Sequence, residues 1–364
     1  MKAYIVLANG LVLAGENFGA QGTSVGEVVF NTGMAGYEET LTDPSYYGQI
    51  ITQTYPLVGN YGINREDAES ARIWACGYIV REACAVPSNF RCQETLDAFL
   101  KEQGIIGVSG VDTRRLTRIL RESGVMNGAV TTEYDSPAAA LADESLMARI
   151  RGYAVTGAVD AVTTREHKTY NEDGAPHVAL FDFGSKANIL RSLVQRGCKV
   201  TVVPASTTAA QLQALGADGI MLSNGPGDPA ENTAVIENLK AVTHMGLPVF
   251  GICLGHQLTA LAHGAKTEKL KYGHRGVNQP VTDFARDRTY ITSQNHGYAV
   301  VADTVDPAVA AVSHVNANDK TVEGIRYKTI PCFTVQFHPE ACGGPRDTGY
   351  LFDEFIAMMQ KGGM

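Results

Sequence analysis

The sequence predicts an α/β protein in two parts: a mixed, β-rich α/β domain over residues 1–150, and a domain over 177–364 built on a mostly parallel sheet with helices on both faces. Three observations carry that expectation. Beyond residue 177, short apolar runs alternate with stretches of helical spacing, as in parallel sheets flanked by helices. Before residue 150, strand and turn signals dominate. Between them, residues 151–176 read as a linker, carried by the polar tract Thr163-Thr-Arg-Glu-His-Lys-Thr-Tyr-Asn-Glu-Asp-Gly-Ala-Pro176.

In the first part, Asn9-Gly10 divides two short apolar runs, which predicts a β-hairpin rather than a signal peptide. Residues 26–33 and 49–55 alternate as half-buried strands do, and Thr42-Asp-Pro-Ser-Tyr46 between them has the chemistry of a turn. Residues 112–122 predict a helix capped by Asp112, with Leu116, Ile119 and Leu120 on one face. Arg114, Arg115, Arg118 and Arg121 cover much of the remainder, a solvated face or, more sharply read, a docking surface.

In the second part, strands are expected over 177–183, 199–203, 218–223, 248–252 and 332–337. Helices are expected over 186–196, 207–215, 231–245, 257–262 and from about 348 onward. A sheet of this kind gathers its ligands at the C-terminal ends of the strands.

Composition removes several classes of function. The 364 residues are 45% hydrophobic and 19% charged, enough for ordinary cores. A net charge of −8 with no long basic run argues against a nucleic-acid partner, and no apolar stretch approaches membrane-spanning length. The seven cysteines are scattered without a C-x-x-C pair, which fits reduced thiols in a cytoplasm.

The chemistry centres on Gly251-Ile-Cys-Leu-Gly255, where an apolar strand turns into a helix at Cys253. That layout is a nucleophile elbow, with small residues where neighbouring backbone crosses and a thiol facing the positive end of a helix. The alternative is a buried structural cysteine. A thiol nucleophile needs a base and the base an orienter. His338 and Glu340 stand two apart at the end of a strand, so both point the same way, with Cα atoms about 6.6 Å apart. Backbone N–H groups for an oxyanion are offered by Leu254 and by Ser223-Asn-Gly-Pro-Gly-Asp-Pro229, where Gly225 and Gly227 let bare backbone approach. No phosphate-binding loop and no G-x-G-x-x-G occurs, so no nucleotide site is expected. No metal site is expected either, since His256, His263, His274 and His296 lack ligand-like spacing. Cys76, Cys84 and Cys92 read as structural, and Cys342, four after His338, as a bystander.

Together, Gly251-Ile-Cys-Leu-Gly-His-Gln257, Asn224-Gly-Pro-Gly-Asp-Pro229 and His338-Pro-Glu340 resemble the three signatures of class I glutamine amidotransferase domains, over roughly residues 176 to 360. Asn31-Thr-Gly-Met-Ala-Gly-Tyr-Glu-Glu-Thr-Leu-Thr-Asp-Pro-Ser-Tyr46 and Gly107-Val-Ser-Gly-Val-Asp-Thr-Arg-Arg-Leu-Thr-Arg118 are similar to the small subunit of carbamoyl phosphate synthetase. Gly273-His-Arg-Gly-Val-Asn-Gln-Pro-Val281 and Gln294-Asn-His-Gly-Tyr298 extend that resemblance, and Ala341-Cys-Gly-Gly344 departs from the family's Ser-Pro-Gly-like run. The resemblance implies a Cys253, His338 and Glu340 triad that hydrolyses L-glutamine through a thioester. It places glutamine contacts on Ser45, Gly225, Gly227, Leu254, Gln257, Asn295, Gly297 and Tyr298. It implies no cofactor on this chain, with ATP, magnesium and bicarbonate belonging to a large synthetase subunit that receives the ammonia. The competing expectations are the glutaminase of another synthetase, and a non-catalytic regulatory module on the same scaffold.

Overall fold

The structure, a computed structural model, describes residues 1–341 and 343–361. The chain divides into two compact units, Met1–Val155 and Thr156–Met364.

The N-terminal unit is a closed seven-stranded barrel. Around it run Lys2–Leu7, Val12–Gly19, Ile106–Ser109, Gly77–Ile79, Gln49–Gln53, Thr23–Asn31 and Met126–Thr131, which returns to the first strand. Asn9-Gly10 makes the expected hairpin: Gly10 takes φ 85°, and Lys2–Leu7 pairs antiparallel with the next strand. Alternate strand residues such as Ile5, Val28, Ile50, Ile79, Val108 and Val130 share one core. The helix Thr113–Ser123 closes onto it through Leu116 and Leu120, and its N-cap Asp112 accepts from Arg115 N–H at 2.9 Å. Arg114, Arg115, Arg118 and Arg121 are all exposed.

The C-terminal unit holds a ten-stranded sheet. Its five central strands, Lys199–Pro204, His177–Asp182, Gly219–Leu222, Val249–Ile252 and Cys332–Val335, are mutually parallel. Their side chains alternate between two cores. Ala179, Phe181, Ile220, Leu222 and Val249 face the helices Ala209–Leu215, Thr233–Thr243 and Leu254–Ala262. Val178, Leu180, Met221, Phe250 and Ile252 face Ala187–Val194 and Tyr350–Gln360. A strand buried on both sides must be apolar throughout, which is why these runs stand out in the sequence.

Beyond Cys332–Val335 the sheet continues antiparallel through Val322–Tyr327, Ala310–Asn316, Thr267–Asp283 and Arg288–Val300. The expected linker requires correction. From Thr156 onward it belongs to the C-terminal unit, with a helix Ala158–Val162 whose Val159 joins the core. Its Lys168–Tyr170 segment is an edge strand paired antiparallel with Lys199–Pro204. An edge strand tolerates polar side chains, and the Thr169 and Thr201 hydroxyls meet there at 3.0 Å, so composition alone suggested a linker. Among the described residues, no helix is long and apolar enough to cross a membrane.

Candidate active site

The elbow forms because the buried Val249–Ile252 strand runs straight into the helix Leu254–Ala262 with only Cys253 between them. Cys253 takes φ 51° and ψ −102°, a conformation that side chains with a Cβ seldom adopt. Neighbours hold it there. Its N–H donates to the Val335 carbonyl at 2.8 Å, and its own carbonyl accepts the first helical bond from Gln257 N–H at 3.1 Å. Gly255 N–H donates to the Ser223 carbonyl at 3.0 Å. A Cβ on Gly255 would lie 2.5 Å from the Leu222 carbonyl oxygen, and one on Gly251 2.9 Å from Thr334 Cγ2. Gly255→Ala is therefore expected to push the helix off its strand, costing about 1–3 kcal/mol of stability. Thermal unfolding with a glutamine-turnover assay checks this; unchanged stability and turnover would mean that the crossing has slack.

Cys253 is 2% exposed, and its thiol approaches the Asn295 carbonyl oxygen at 3.7 Å. His338 lies beyond the end of Cys332–Val335, the strand whose Val335 carbonyl anchors Cys253, and donates its N–H to the Ser293 carbonyl at 2.9 Å. Its Nδ1 stands 2.7 Å from Glu340 Oε1. A carboxylate only accepts, so Nδ1 carries the proton. The other ring nitrogen, Nε2, is buried and has no hydrogen-bond partner among the described residues. With Nδ1 held as the donor to Glu340, Nε2 is the ring nitrogen left to exchange a proton.

Sequence reasoning missed Lys186. Its Nζ lies 3.3 Å from Glu340 Oε1 and 3.2 Å from His338 Nδ1, and its backbone N–H donates to Asn224 Oδ1 at 3.0 Å. Because Nδ1 gives its proton to the carboxylate, the short lysine–histidine spacing is that of two donors converging on one oxygen. Burial alone would raise the Glu340 carboxyl, but the His338 and Lys186 charges and the imidazole hydrogen bond pull it from 4.5 down to about 2. A depressed carboxylate stabilises the fold above its ordinary pKa, and that contribution is lost as pH falls from about 4.5 toward 2. No local pattern marks Lys186, which stands 152 positions before His338.

The other expected contact residues of the C-terminal unit are distributed around the elbow. Gln257 Nε2 donates to the Tyr298 carbonyl at 2.7 Å and to Gln336 Oε1 at 2.9 Å. Asn295, Gly297 and Tyr298 lie in sequence on the Arg288–Val300 strand. Leu254 opens the elbow helix, so its N–H is at the helix N-terminus. Gly225 is held against the Phe183 carbonyl, where a Cβ has no room, and Gly227 takes φ 87° with Ala158 beside it. Ser45 belongs to the N-terminal unit, in the turn Pro44–Tyr46, where its N–H donates to Asp43 Oδ1 at 2.9 Å. Cys342 lies outside the described residues. Burial pushes the thiols of Cys76, Cys198 and Cys332 up, Cys198 to about 11, so these three suit packing rather than reaction. The sequence spacing kept His274 and His296 apart, yet the sheet brings their rings together beside Glu323.

Residues 5–130 match the family described as carbamoyl-phosphate synthase small chain, CPSase domain, and residues 179–358 match glutamine amidotransferase class-I. A carbamoyl phosphate synthase small chain of Chlorobaculum tepidum is 50% identical over 364 residues, covering 99% of this chain and 98% of that one. The protein of that name from Listeria monocytogenes is 50% identical, covering 98% of this chain and 97% of its own. That of Clostridium perfringens is 48% identical, covering 98% and 99%. With the amidotransferase signatures following three neighbouring parallel strands and likeness running over nearly the full length of both chains, this chain belongs to the carbamoyl phosphate synthase small chain family.

Proposed function

We propose that this chain is the glutaminase subunit of a carbamoyl phosphate synthase, with Cys253, His338 and Glu340 as its catalytic triad. The observation that carries the reading is the buried Nε2 of His338, without a hydrogen-bond partner among the described residues, on a ring held by Glu340 just beyond the strand whose Val335 carbonyl anchors strained Cys253. The Cys253 sulfur attacks the side-chain carbonyl carbon of L-glutamine, its proton passing to His338 Nε2. The resulting oxyanion is met by backbone N–H groups of Leu254 and of the Gly225–Gly227 turn. His338 returns the proton to the departing nitrogen, the C–N bond breaks, and ammonia leaves a γ-glutamyl thioester. His338 then deprotonates a water, which attacks the thioester; the C–S bond breaks and glutamate departs.

Gln257, Asn295, Gly297 and Tyr298, with Gly225, Gly227 and Leu254, are the proposed glutamine contacts of the C-terminal unit. Ammonia passes to a large, ATP- and magnesium-dependent partner subunit in a heterodimer or higher assembly, where carbamoyl phosphate is made from bicarbonate. A reducing cytoplasm suits the free thiols of Cys76, Cys84, Cys92, Cys198, Cys253 and Cys332.

A glutamine-like electrophile tests the site. It should label Cys253 stoichiometrically in the native chain, and glutamine should protect. Peptide mapping that finds the label on Cys342, with Cys253 untouched, would overturn the assignment.

A further inference from the structure

Beside the residues proposed to hold glutamine lies a buried chain of titratable groups that the reaction does not use. His274 and His296 face one another across the pairing of Thr267–Asp283 with Arg288–Val300, His274 Nδ1 standing 3.2 Å from His296 Nε2. Each ring commits its outer nitrogen as a donor. His296 Nδ1 is 2.7 Å from the Tyr298 carbonyl, and His274 Nε2 is 2.7 Å from Asp319 Oδ2. Both of those partners only accept. Two neutral rings in these tautomers would aim lone pairs at each other, and Gln294 Oε1, 3.0 Å from His296 Nε2, adds a further acceptor to the junction. One additional proton between the facing nitrogens relieves the repulsion between the two rings.

His274 is the ring placed to take it. Burial opposes charge on either ring, but around His274 the hydrogen bonds and charges of Glu323 and Asp319 outweigh it and raise its pKa. Glu323 Oε1 lies 3.7 Å from His274 Nδ1, and burial raises that carboxyl while His274 draws it back. His296 is pushed well below its ordinary range by burial and by the charges of His274, Arg275 and His338, against which the Tyr298 carbonyl bond is too little.

The Tyr298 carbonyl that receives His296 also receives Gln257 Nε2, at 2.7 Å each. The chain therefore runs from Asp319, whose side chain is 46% exposed, through His274, His296 and the Tyr298 carbonyl to Gln257. We propose that His274, protonated and anchored by Asp319, is a positioning residue for glutamine binding: its N–H fixes the His296 tautomer, and His296 fixes the carbonyl to which Gln257 is tied. This rests on the reading that Gln257 and Tyr298 hold glutamine. His274 touches no reacting atom. As pH rises through its titration the donor is lost and glutamine binding weakens, while the chemistry at Cys253 continues.

The test is kcat and KM for glutamine across the neutral to alkaline range, using the full chain with its large partner. In the unmodified protein KM should climb with pH independently of kcat. Asp319→Asn removes the anchoring charge at a half-exposed position, and its KM should climb from a lower pH. His274→Ala should raise KM about threefold to tenfold at every pH, the worth of one buried hydrogen bond. His274→Gln restores a donor that does not titrate, and should recover part of the loss with a flat profile. If His274→Ala does not fold, Asp319→Asn decides alone. Superimposable KM profiles for Asp319→Asn and the unmodified protein, or an effect confined to kcat, would overturn the relay. Failure of the underlying reading looks different: glutamine turnover that survives Cys253→Ala, or none in the unmodified protein.

Discussion

Replacing Cys253 with alanine is expected to abolish glutamine hydrolysis while leaving the fold in place. The substitution removes one sulfur, which approaches the Asn295 carbonyl, and keeps both glycines of the crossing. Alanine also carries a Cβ, so the strain at φ 51° is unchanged. Turnover should fall by roughly four to six orders of magnitude, the scale on which a covalent nucleophile is missed. Stability should move by no more than about 1 kcal/mol, because the space left is small. Glutamine should still bind, since Gln257, Asn295, Gly297 and Tyr298 are untouched. Initial-rate assays with calorimetric titration of glutamine read both effects. A variant that keeps measurable turnover would remove Cys253 from the chemistry.

His338→Asn should cost about 10²–10⁴ in turnover, the usual worth of a positioned acid–base group. An asparagine amide can still donate to Glu340, but nothing at its tip takes a proton from sulfur or water. Glu340 keeps Lys186 at 3.3 Å, so the carboxylate stays paired and the pocket should hold its shape. Glutamine binding should survive here too. A fall of less than about threefold in a folded variant would show that His338 is not the base, since even the weakest such groups contribute more.

What the sequence revealed about the site was local. The elbow is legible because strand, nucleophile and helix occupy one short stretch, and Gly251 and Gly255 are there to let backbone pass. His338 and Glu340 are legible as a pair two apart near a strand end; the structure joins them at 2.7 Å, but through a turn beyond Cys332–Val335 rather than through the extended backbone the spacing suggested. Lys186 and the His274–His296 pair were not legible, because each depends on which strands become neighbours. The sheet order inserts Cys332–Val335 beside the elbow strand and places Thr267–Asp283 against Arg288–Val300 through two register shifts.

The same division holds for the fold. Strands buried on both faces announced the parallel centre of the sheet, whereas the closed barrel did not announce itself. Its strands are as short as Gly77–Ile79, and three of its seven pairings are parallel between strands distant in sequence. Nor did the edge strand Lys168–Tyr170, whose polar side chains look like a linker until pairing is seen.

The most direct test of the account is the nitrogen donor used by the reconstituted complex carrying Cys253→Ala. If this chain serves to release ammonia from glutamine and deliver it, carbamoyl phosphate formation from glutamine should vanish while formation from added ammonium salt continues, because the ATP-using steps belong to the partner. Loss of both activities in a complex that still assembles, or survival of the glutamine-dependent one, would contradict it.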